Sequence, residues 1–373
     1  MDRNRRTALG RLAAMSAAAA GVTGVGSAVG SAHAQAVTSV RIGIASAPVG
    51  SPPVFADNSV AIAHNRGWLE EEFKRSGIKV EWFFFRGAGP AVNEALANGQ
   101  LDFAQQGDLP AVVARATGLK TQLLLAAGQR KNLYLAVAPS APISSVTDLR
   151  GKRVALFKGT SGQLPTDRLL AKHGLSERDL KAYNLDYAAM QAALATGDID
   201  AAFGGIELLK LRDKGVARIV YRSKGDSPLF TRQSHLLVLE SFEKSHPEIV
   251  QRVVDVVVKA ARWGSDDANR EEVLRDWAKA GTPYEHWKED YENESLSIRL
   301  APNFDPFLVS LYKSAARSLV EYKLTRREAQ VDGWVNRRYL DRALREQKLE
   351  NYWARLDENG HEIAVPGAKG KAA

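Results

Sequence analysis

The chain has 373 residues, of which 45% are hydrophobic and 25% charged, and it carries a formal net charge of +8 with no cysteine. Without cysteine it can have no disulfide framework, no thiolate metal site and no cysteine nucleophile, and we expect no lipid anchor. Basic residues are interspersed with acidic ones and form no single basic stripe, so the composition does not favour nucleic-acid binding. The length is sufficient for a large core and indicates two or three domains.

The first 36 residues are predicted to be an export signal that takes no part in the fold. A basic start, an Ala/Gly-rich stretch and a small-residue cleavage point near Ala34 or Ala36 are typical of such a signal. Arg5-Arg6 is similar to the start of a twin-arginine signal, but Ala8 stands where a bulky Phe is usual, so general secretion is the alternative route. The stretch is too rich in Gly and Ser for a membrane span, which needs about 20 apolar residues. We therefore expect the mature protein in the periplasm.

After the signal, strand-like and helix-like patterns alternate, which predicts an α/β fold with mainly parallel strands. The first elements form one unit, which we predict to be the start of a first lobe. In chain order they are a strand at 40–45, a Pro/Gly/Ser loop at 46–55, a helix at 59–72, a strand at 79–85, a helix that ends at Ala97 and a short strand at 101–104.

An internal repeat indicates that a second lobe follows the same plan. Residues 95–102 (ALANGQLD) match residues 193–200 (ALATGDID), 98 positions later. In each copy an apolar helix ends at a glycine, which can take the left-handed conformation that closes a helix, and a short strand with an Asp follows. The alternative is a common helix–cap–strand pattern that occurs twice by chance. Because similar elements precede both copies in similar order, we favour two lobes built alike.

The repeat and the extended runs around it define the predicted lobe boundaries. The second lobe is predicted to span residues 138–233, and the first lobe residues 37–137 together with 234–345. Two extended runs, 133–138 and 234–239, bracket the second lobe. We predict that they are paired crossing strands that act as a hinge.

Within the second lobe, a buried strand that ends at Phe157 is followed by a Gly/Thr/Ser loop at 158–162 and a helix through Leu170. From His246 onward the chain is strongly helical, with a stripe of valines on one face. Apolar periodicity fades near the end, so residues 346–373 are predicted to be a disordered tail.

Catalytic signatures are mostly absent from the sequence. The histidines are scattered without metal-ligand spacing, and neither a phosphate-binding loop nor a dinucleotide-binding glycine motif occurs. The run from Gly159 to Gln163 is superficially similar to a nucleophile elbow, but Gln163 stands where the second Gly is needed. We therefore expect no enzyme activity, no metal and no cofactor.

The loop at 158–162 is better interpreted as an anion-binding turn than as a nucleophile elbow. It joins a strand to a helix, and that geometry presents free backbone N–H groups at the positive end of the helix. Thr160 and Ser161 can cap the helix or donate hydroxyls to a bound oxyanion, and Lys158 adds positive charge. For this loop taken alone, an ordinary capped turn is the alternative interpretation.

A second such turn follows the third strand at Gln106, Gly107 and Asp108, where Asp108 is predicted to be the helix N-cap and Pro110 an early helical residue. In open α/β sheets, ligands bind beyond the carboxyl ends of the strands. Two lobes that face each other would therefore aim both helix ends into one cleft. Donors divided between the lobes could offset the cost of desolvating an anion, but only when the cleft closes.

Four cations are candidates for a position near this cleft, namely Arg86, Arg130, Lys158 and Arg232. For each of them, the alternative is an ordinary solvated position on the surface. The net positive charge is mild and spread along the chain, so it helps to collect anions only weakly.

Several of these motifs together resemble the periplasmic aliphatic sulfonate-binding proteins of ABC transporters, within a wider group that includes taurine-, nitrate- and thiamine-precursor-binding proteins. The resemblance covers residues 40–260 and rests on Gly89-Pro90, the two repeats, Gly107-Asp108, the segment 148–155 and Lys158-Gly159-Thr160. The segment 148–155 is shared by many type II solute-binding proteins, so it indicates the fold better than the ligand.

The resemblance implies the two-lobed type II periplasmic binding protein fold, with crossing hinge strands, C-terminal helices and a ligand closed between the lobes. It also implies a small anionic ligand, an ABC permease in the inner membrane as partner, and a monomer that binds no nucleic acid. The ligand-binding residues that we predict from the matching motifs and the flanking loops are Ser46, Ser51, Gln106, Gly107, Asp108, Lys158, Gly159, Thr160, Ser161, Gly162, Gly205, Glu207, Ser234 and His235.

Two departures from the family pattern leave the ligand open. Where the family often has a Trp-Asp-Pro cluster this chain has Phe203 to Glu207, and where an aromatic pair is common it has Ser234-His235. These smaller residues imply a roomier or differently shaped pocket, which does not favour short alkanesulfonates, and an aryl sulfonate, a sulfate ester or another carboxylate or phosphonate anion fits equally well. A binding protein for nitrate, another oxyanion or a thiamine precursor is a further alternative. An enzyme on the same fold and an extracytoplasmic sensory subunit are the other functional hypotheses.

Overall fold

The computed structural model describes residues 37–363, so the predicted export signal and residues 364–373 lie outside the described part of the chain. The described residues form two α/β lobes, each built on a five-stranded sheet that is flanked by helices. Within this range, no helix is both long and apolar enough to cross a membrane.

Strands and helices alternate through most of both lobes. The strands are β1 (Ser39–Ile44), β2 (Lys79–Phe84), β3 (Phe103–Gly107), β4 (Thr121–Lys131), β5 (Tyr134–Val137), β6 (Arg153–Leu156), β7 (Lys181–Asn184), β8 (Ala201–Gly204), β9 (Arg218–Arg222) and β10 (Arg232–Leu239). The α-helices are α1 (Ser59–Asn65), α2 (Trp68–Lys74), α3 (Ala88–Ala97), α4 (Asp108–Ala116), α5 (Gln163–Lys172), α6 (Tyr187–Thr196), α7 (Leu209–Asp213), α8 (Glu240–Ser245), α9 (Pro247–Gly264), α10 (Arg270–Ala278), α11 (Tyr284–Asp290), α12 (Leu296–Leu300), α13 (Pro306–Glu321) and α14 (Arg337–Glu346).

Both sheets have the same pattern of strand order and direction. The first sheet has the order β2-β1-β3-β10-β4, and the second has the order β7-β6-β8-β5-β9. In each sheet the fourth strand, β10 or β5, is antiparallel to both of its neighbours, while the other pairs are parallel. Four strands of each sheet therefore run in one direction, which confirms the prediction of mainly parallel strands.

The predicted pairing of the two hinge strands is wrong. β5 pairs with β8 and β9 in the second sheet, whereas β10 pairs with β3 and β4 in the first. The partner of β10 is the apolar strand β4, which carries the chain to the lobe boundary at Lys131. The chain therefore crosses between the lobes at residues 132–133 and returns at residues 223–231, and the first segment of the first lobe ends near Lys131.

The internal repeat is a structural repeat. In the first lobe, the Asp102 carboxylate accepts a hydrogen bond from the Arg41 backbone N–H at 2.8 Å and pairs with the Arg41 guanidinium at 2.6 Å. The same guanidinium donates to the Gly99 carbonyl at 2.7 Å. Gly99 has a φ of 66°, in the left-handed region that glycine adopts without strain just beyond the end of a helix.

The second lobe repeats these contacts residue for residue. The Asp200 carboxylate accepts from the Arg153 backbone N–H at 2.8 Å and pairs with its guanidinium at 2.7 Å. Arg153 also donates to the carbonyl of Gly197 at 2.9 Å, and Gly197 has a φ of 77°. In each lobe one carboxylate therefore ties the segment that enters β3 or β8 to the neighbouring strand, β1 or β6.

The segment after α14 is packed against the first lobe as far as the described residues extend. Leu349 and Trp353 are buried, and the Trp353 Nε1 donates to the Ser265 Oγ at 2.9 Å. The predicted disorder is therefore wrong for residues 346–363. Apolar residues in turns have no helical periodicity, so the sequence pattern did not reveal this packing.

Asp102→Ala is expected to lower the free energy of unfolding by about 2–4 kcal/mol, because it leaves a guanidinium and a backbone N–H without their partner. Asp200→Ala should cost less, since the Asp200 side chain is 24% exposed against 5% for Asp102. Urea unfolding followed by circular dichroism measures both losses. Equal losses, or no loss, would contradict this account of the repeat.

Candidate functional site

The lobes face each other across a cleft that contains two adjoining cavities. The inner cavity has a volume of about 260 Å³ and is lined from both lobes, for example by Gln106 of the first and Ser161 of the second. The outer cavity has a volume of about 420 Å³. Ser46, Tyr187 and Glu207 line both cavities, so the two form one continuous cleft.

The lobes touch at the two turns that the sequence analysis placed opposite each other. A Cβ built on Gly107 would lie 2.5 Å from the Cβ of Ser161, which is far closer than two carbons can approach. A Cβ built on Gly159 would lie 3.0 Å from the Cγ of Pro90 in the first lobe. Glycine is therefore required at 107 for the backbone of one lobe to approach the other this closely.

Arg232 is a half-buried cation that lines the inner cavity. Its Nε donates to the Asn132 carbonyl at 3.1 Å, and the Tyr187 hydroxyl lies beside the guanidinium. Burial opposes its charge, but Tyr187, Glu207 and Asp57 nearby hold the pKa of Arg232 above its ordinary value. Within residues 37–363, Arg232 makes no direct ion pair with a carboxylate, so its charge faces the cavity without a contacting anion.

A second cation that lines the inner cavity, Lys131, is paired with a carboxylate of the first lobe. Its Nζ lies 3.4 Å from the Asp57 carboxylate, and both side chains are mostly buried. Burial lowers the pKa of Lys131 in spite of the Asp57 charge. Asp57 in turn accepts a hydrogen bond from the Tyr291 hydroxyl at 2.8 Å. This pair contributes polarity to the wall but little net charge.

Two polar side chains of the first lobe line the cavity with unused hydrogen-bonding atoms. The Gln106 Nε2 donates to the Asn93 Oδ1 at 3.0 Å, while its buried Oε1 has no partner among the described residues. The Ser46 Oγ is likewise buried and unpartnered in this part of the chain. Ser234, which also lines the inner cavity, donates its Oγ to the Gly128 carbonyl at 3.3 Å. Buried polar atoms normally have partners, so these atoms indicate a site for a polar ligand.

In the second-lobe loop, only Ser161 lines a cavity. The Lys158 Nζ pairs with the Glu177 carboxylate at 2.5 Å, away from the cleft. The Gly159 N–H donates to the Gln163 Oε1 at 2.7 Å, and the Thr160 Oγ1 donates to the Phe157 carbonyl at 2.7 Å. These hydrogen bonds within the second lobe fix the conformation of the loop. Its polar groups therefore position Ser161 and do not line the cavity themselves. Gly162, the N-cap of α5, also lines neither cavity.

Three further residues that were predicted to bind the ligand differ in their position relative to the cavities. Glu207 lines both cavities, and its Oε1 accepts from the Gly205 N–H at 2.7 Å. Gly205 lies behind it, where a built Cβ would lie 2.5 Å from a terminal nitrogen of Arg232. Ser51 is exposed and lines neither cavity, because its loop bends away into solvent.

Asp108 and His235 are buried beside the cleft but line neither cavity. The N-cap of α4 is Gly107, and the Asp108 carboxylate accepts from the Leu109 N–H at 2.8 Å. The His235 Nδ1 lies 2.7 Å from the Tyr312 hydroxyl, and burial lowers the pKa of His235 to about 3. Successive strand residues point to opposite faces, so Ser234 faces the cleft and His235 faces the core.

Of the four candidate cations, Arg232 and Arg86 line the cleft, while Lys158 and Arg130 do not. The Arg130 guanidinium lies 5.8 Å from the centre of the Phe307 ring. The sequence analysis missed Tyr187 altogether. The available signal was its position at the start of α6, directly beyond the carboxyl end of β7.

The described residues contain no group of three or more His, Cys, Asp or Glu side chains arranged to hold a metal ion. The polar groups of the inner cavity include serine hydroxyls, amides, the Tyr187 hydroxyl, the Asp57 and Glu207 carboxylates that already accept hydrogen bonds, Lys131 and the Arg232 guanidinium. Such a set can hold a small anion by hydrogen bonds and charge.

Residues 58–268 match the NMT1/THI5-like family. A Bacillus subtilis relative whose name assigns it aliphatic sulfonate binding is 31% identical over 210 residues, which cover 54% of this chain and 60% of the relative. The taurine-binding periplasmic protein of Escherichia coli is 26% identical over 190 residues, which cover 50% of this chain and 58% of that protein. The matched region thus spans less than two thirds of the length of these curated relatives.

Solved structures match over more of the chain. The periplasmic sulfonate-binding protein SsuA from Methylobacillus flagellatus is 32% identical with a TM-score of 0.76, and the match covers 87% of this chain and 99% of that one. Structures below 25% identity share the fold alone. They include the desulfurization enzyme DSZB, at 18% identity and a TM-score of 0.63, with 83% of this chain and 99% of that one covered.

Burial raises the pKa of Asp108 to about 6, so the folded protein holds this proton more tightly than the unfolded chain does. Its contribution to stability is therefore greatest at acid pH and is lost as the pH rises toward 6. Asn does not titrate, so the free energy of unfolding of Asp108→Asn should rise relative to that of the wild type as the pH increases from 4 to 7. The expected rise is roughly 2–3 kcal/mol. Urea unfolding of both proteins across this range measures the difference. A difference that stays constant with pH would contradict the burial of an ionisable carboxyl here.

Proposed function

The chain belongs to the NMT1/THI5-like family, and on that premise we propose that it is the extracytoplasmic solute-binding component of an ABC importer. Its ligand is a small organic anion, a sulfonate, which is held between the two lobes. The family match and the named sulfonate-binding relatives support the class of protein. The cleft supports the charge of the ligand.

The observation that carries the proposal is Arg232, a half-buried guanidinium that faces a cavity lined from both lobes. Among residues 37–363, no carboxylate forms an ion pair with Arg232, so a ligand anion can contact the guanidinium directly. Hydrogen bonds to charged groups contribute about 1.5–3 kcal/mol each, so a few such bonds offset the desolvation of the ligand.

The other polar groups of the inner cavity suit a sulfonate head. The three oxygens of a sulfonate only accept hydrogen bonds, and they point in different directions. Ser46 and Ser161 offer hydroxyl donors from opposite lobes, and Arg232 offers a planar fork of N–H groups. Since the donors come from both lobes, the anion binds most tightly when the cleft is closed, and it selects the closed state.

We place the mature protein in the periplasm, as a monomer that delivers its ligand to an inner-membrane permease. The predicted export signal and the periplasmic location named for the relatives support this placement. The protein acts by binding and not by turnover. The absence of cysteine from the whole chain excludes thiol chemistry for the enzyme alternative on this fold.

Arg232→Gln should weaken sulfonate binding by at least about tenfold, because it removes the charge and the fork that contact the anion. Arg232→Lys keeps the charge but not the planar fork, so its affinity for the sulfonate should lie between those of the wild type and Arg232→Gln. Isothermal titration calorimetry and ligand-induced thermal shifts measure these changes. The test panel includes alkyl and aryl sulfonates, sulfate esters, nitrate and phosphonates. If no sulfonate at millimolar concentration raises the melting temperature of the wild type, the proposed ligand class is wrong.

Gly107→Ala should weaken ligand binding by hindering closure, since the added methyl group collides with the Ser161 side chain. Ser161→Gly removes the colliding carbon but also a proposed hydroxyl donor, so the double variant should lose less affinity than the sum of the two single losses. Small-angle scattering with saturating ligand should show a larger radius for Gly107→Ala than for the wild type. If the double variant shows no recovery beyond the sum of the single changes, the lobe contact is not what limits closure.

A further inference from the structure

The outer cavity carries two cations that have no partner. Arg86 lies two residues beyond the end of β2 in the first lobe, and Lys210 lies in α7 of the second lobe. Both side chains line the outer cavity, so they face it from opposite sides of the cleft. Among residues 37–363, neither side chain has an ion pair or a hydrogen bond.

The acidic groups of the same cavity already accept hydrogen bonds. Asp186 accepts the Ala189 N–H at 2.8 Å as the N-cap of α6. Glu207 accepts the Gly205 N–H at 2.7 Å and helps to hold the charge of Arg232. These carboxylates therefore serve the protein itself, and they leave Arg86 and Lys210 available to a ligand.

Both positive charges face one cavity in the closed cleft, although they belong to different lobes. A negative group of a ligand in that cavity is attracted by both of them, and it therefore favours the closed state.

The wall between the inner site and these cations is mainly apolar. The rings of Phe157 and Tyr187 pack edge to face with their centres 5.2 Å apart, and Val49 and Pro283 line the same cavity. This wall suits a carbon skeleton that extends from the inner anion site toward the mouth of the cleft.

We propose that the ligand is a dianion, an organosulfonate whose carbon skeleton ends in a second acidic group held by Arg86 and Lys210. This inference rests on the proposed function and names the ligand class for the same cleft. Arg232 binds the sulfonate in the inner cavity. The second acid, a carboxylate or another sulfonate, lies in the outer cavity and draws the lobes together.

The test compares three ligands with carbon skeletons of the same length, namely propanesulfonate, sulfopropanoate and aminopropanesulfonate. They carry one negative charge, two negative charges, and one of each sign. Calorimetry at neutral pH and low salt should show that sulfopropanoate binds about tenfold more tightly than propanesulfonate, and that aminopropanesulfonate binds most weakly. Added salt should reduce the advantage of the dianion, because the outer cations are exposed.

Arg86→Gln and Lys210→Gln should each weaken sulfopropanoate binding by about three- to tenfold and leave propanesulfonate binding unchanged. Lys214→Gln is the matched control, because it removes the same charge one helical turn from Lys210, at an exposed position that lines neither cavity. It should leave all three affinities unchanged.

Two negative results remain distinguishable. If none of the sulfonates binds, the proposed function itself fails. If propanesulfonate and sulfopropanoate bind equally well, or if the Arg86 and Lys210 variants weaken both ligands to the same degree, the protein still binds sulfonates but the second acidic group is ruled out.

Discussion

A positive charge held where the two lobes meet is the constraint on which the cleft depends. The Arg232 guanidinium is held by the Asn132 carbonyl and by nearby groups of both lobes, and it makes no direct ion pair within the described residues. The charge is therefore maintained without a contacting carboxylate and remains available to an anion in the cavity. Contacts of such an anion with both lobes would couple binding of the ligand to closure of the lobes.

The first segment that crosses between the lobes, residues 132–133, contacts Arg232 directly. Asn132, whose carbonyl holds Arg232, donates its side-chain amide to Asp290 at 2.8 Å, and Tyr134 donates to the same carboxylate at 2.5 Å. Although burial opposes the charge, Arg299 holds the pKa of Asp290 below its ordinary value. The crossing is thus tied to α11 by two hydrogen bonds to Asp290, whose charge is in turn paired with Arg299.

The two lobes share one topology but contribute different groups to the cleft. Each has the same strand order and the same Arg–Asp–Gly contact, which links β1 with β3 in one lobe and β6 with β8 in the other. The exchanged strands, β10 in the first sheet and β5 in the second, connect the copies. Because Arg232 begins β10, the strand exchange delivers the central cation to the junction of the lobes.

The amino-acid sequence by itself determined the α/β class, the two similar lobes, the turns that meet across the cleft and the family. These features are local, since they depend on periodicity, on glycines such as Gly99 and Gly197, and on short motifs. Only the tertiary structure decided that β4 is the partner of β10, that Lys158 pairs with Glu177 away from the cleft, and that His235 faces the core. Strand partners, ion pairs and the facing of a side chain depend on residues far apart in the chain, and no local pattern records them.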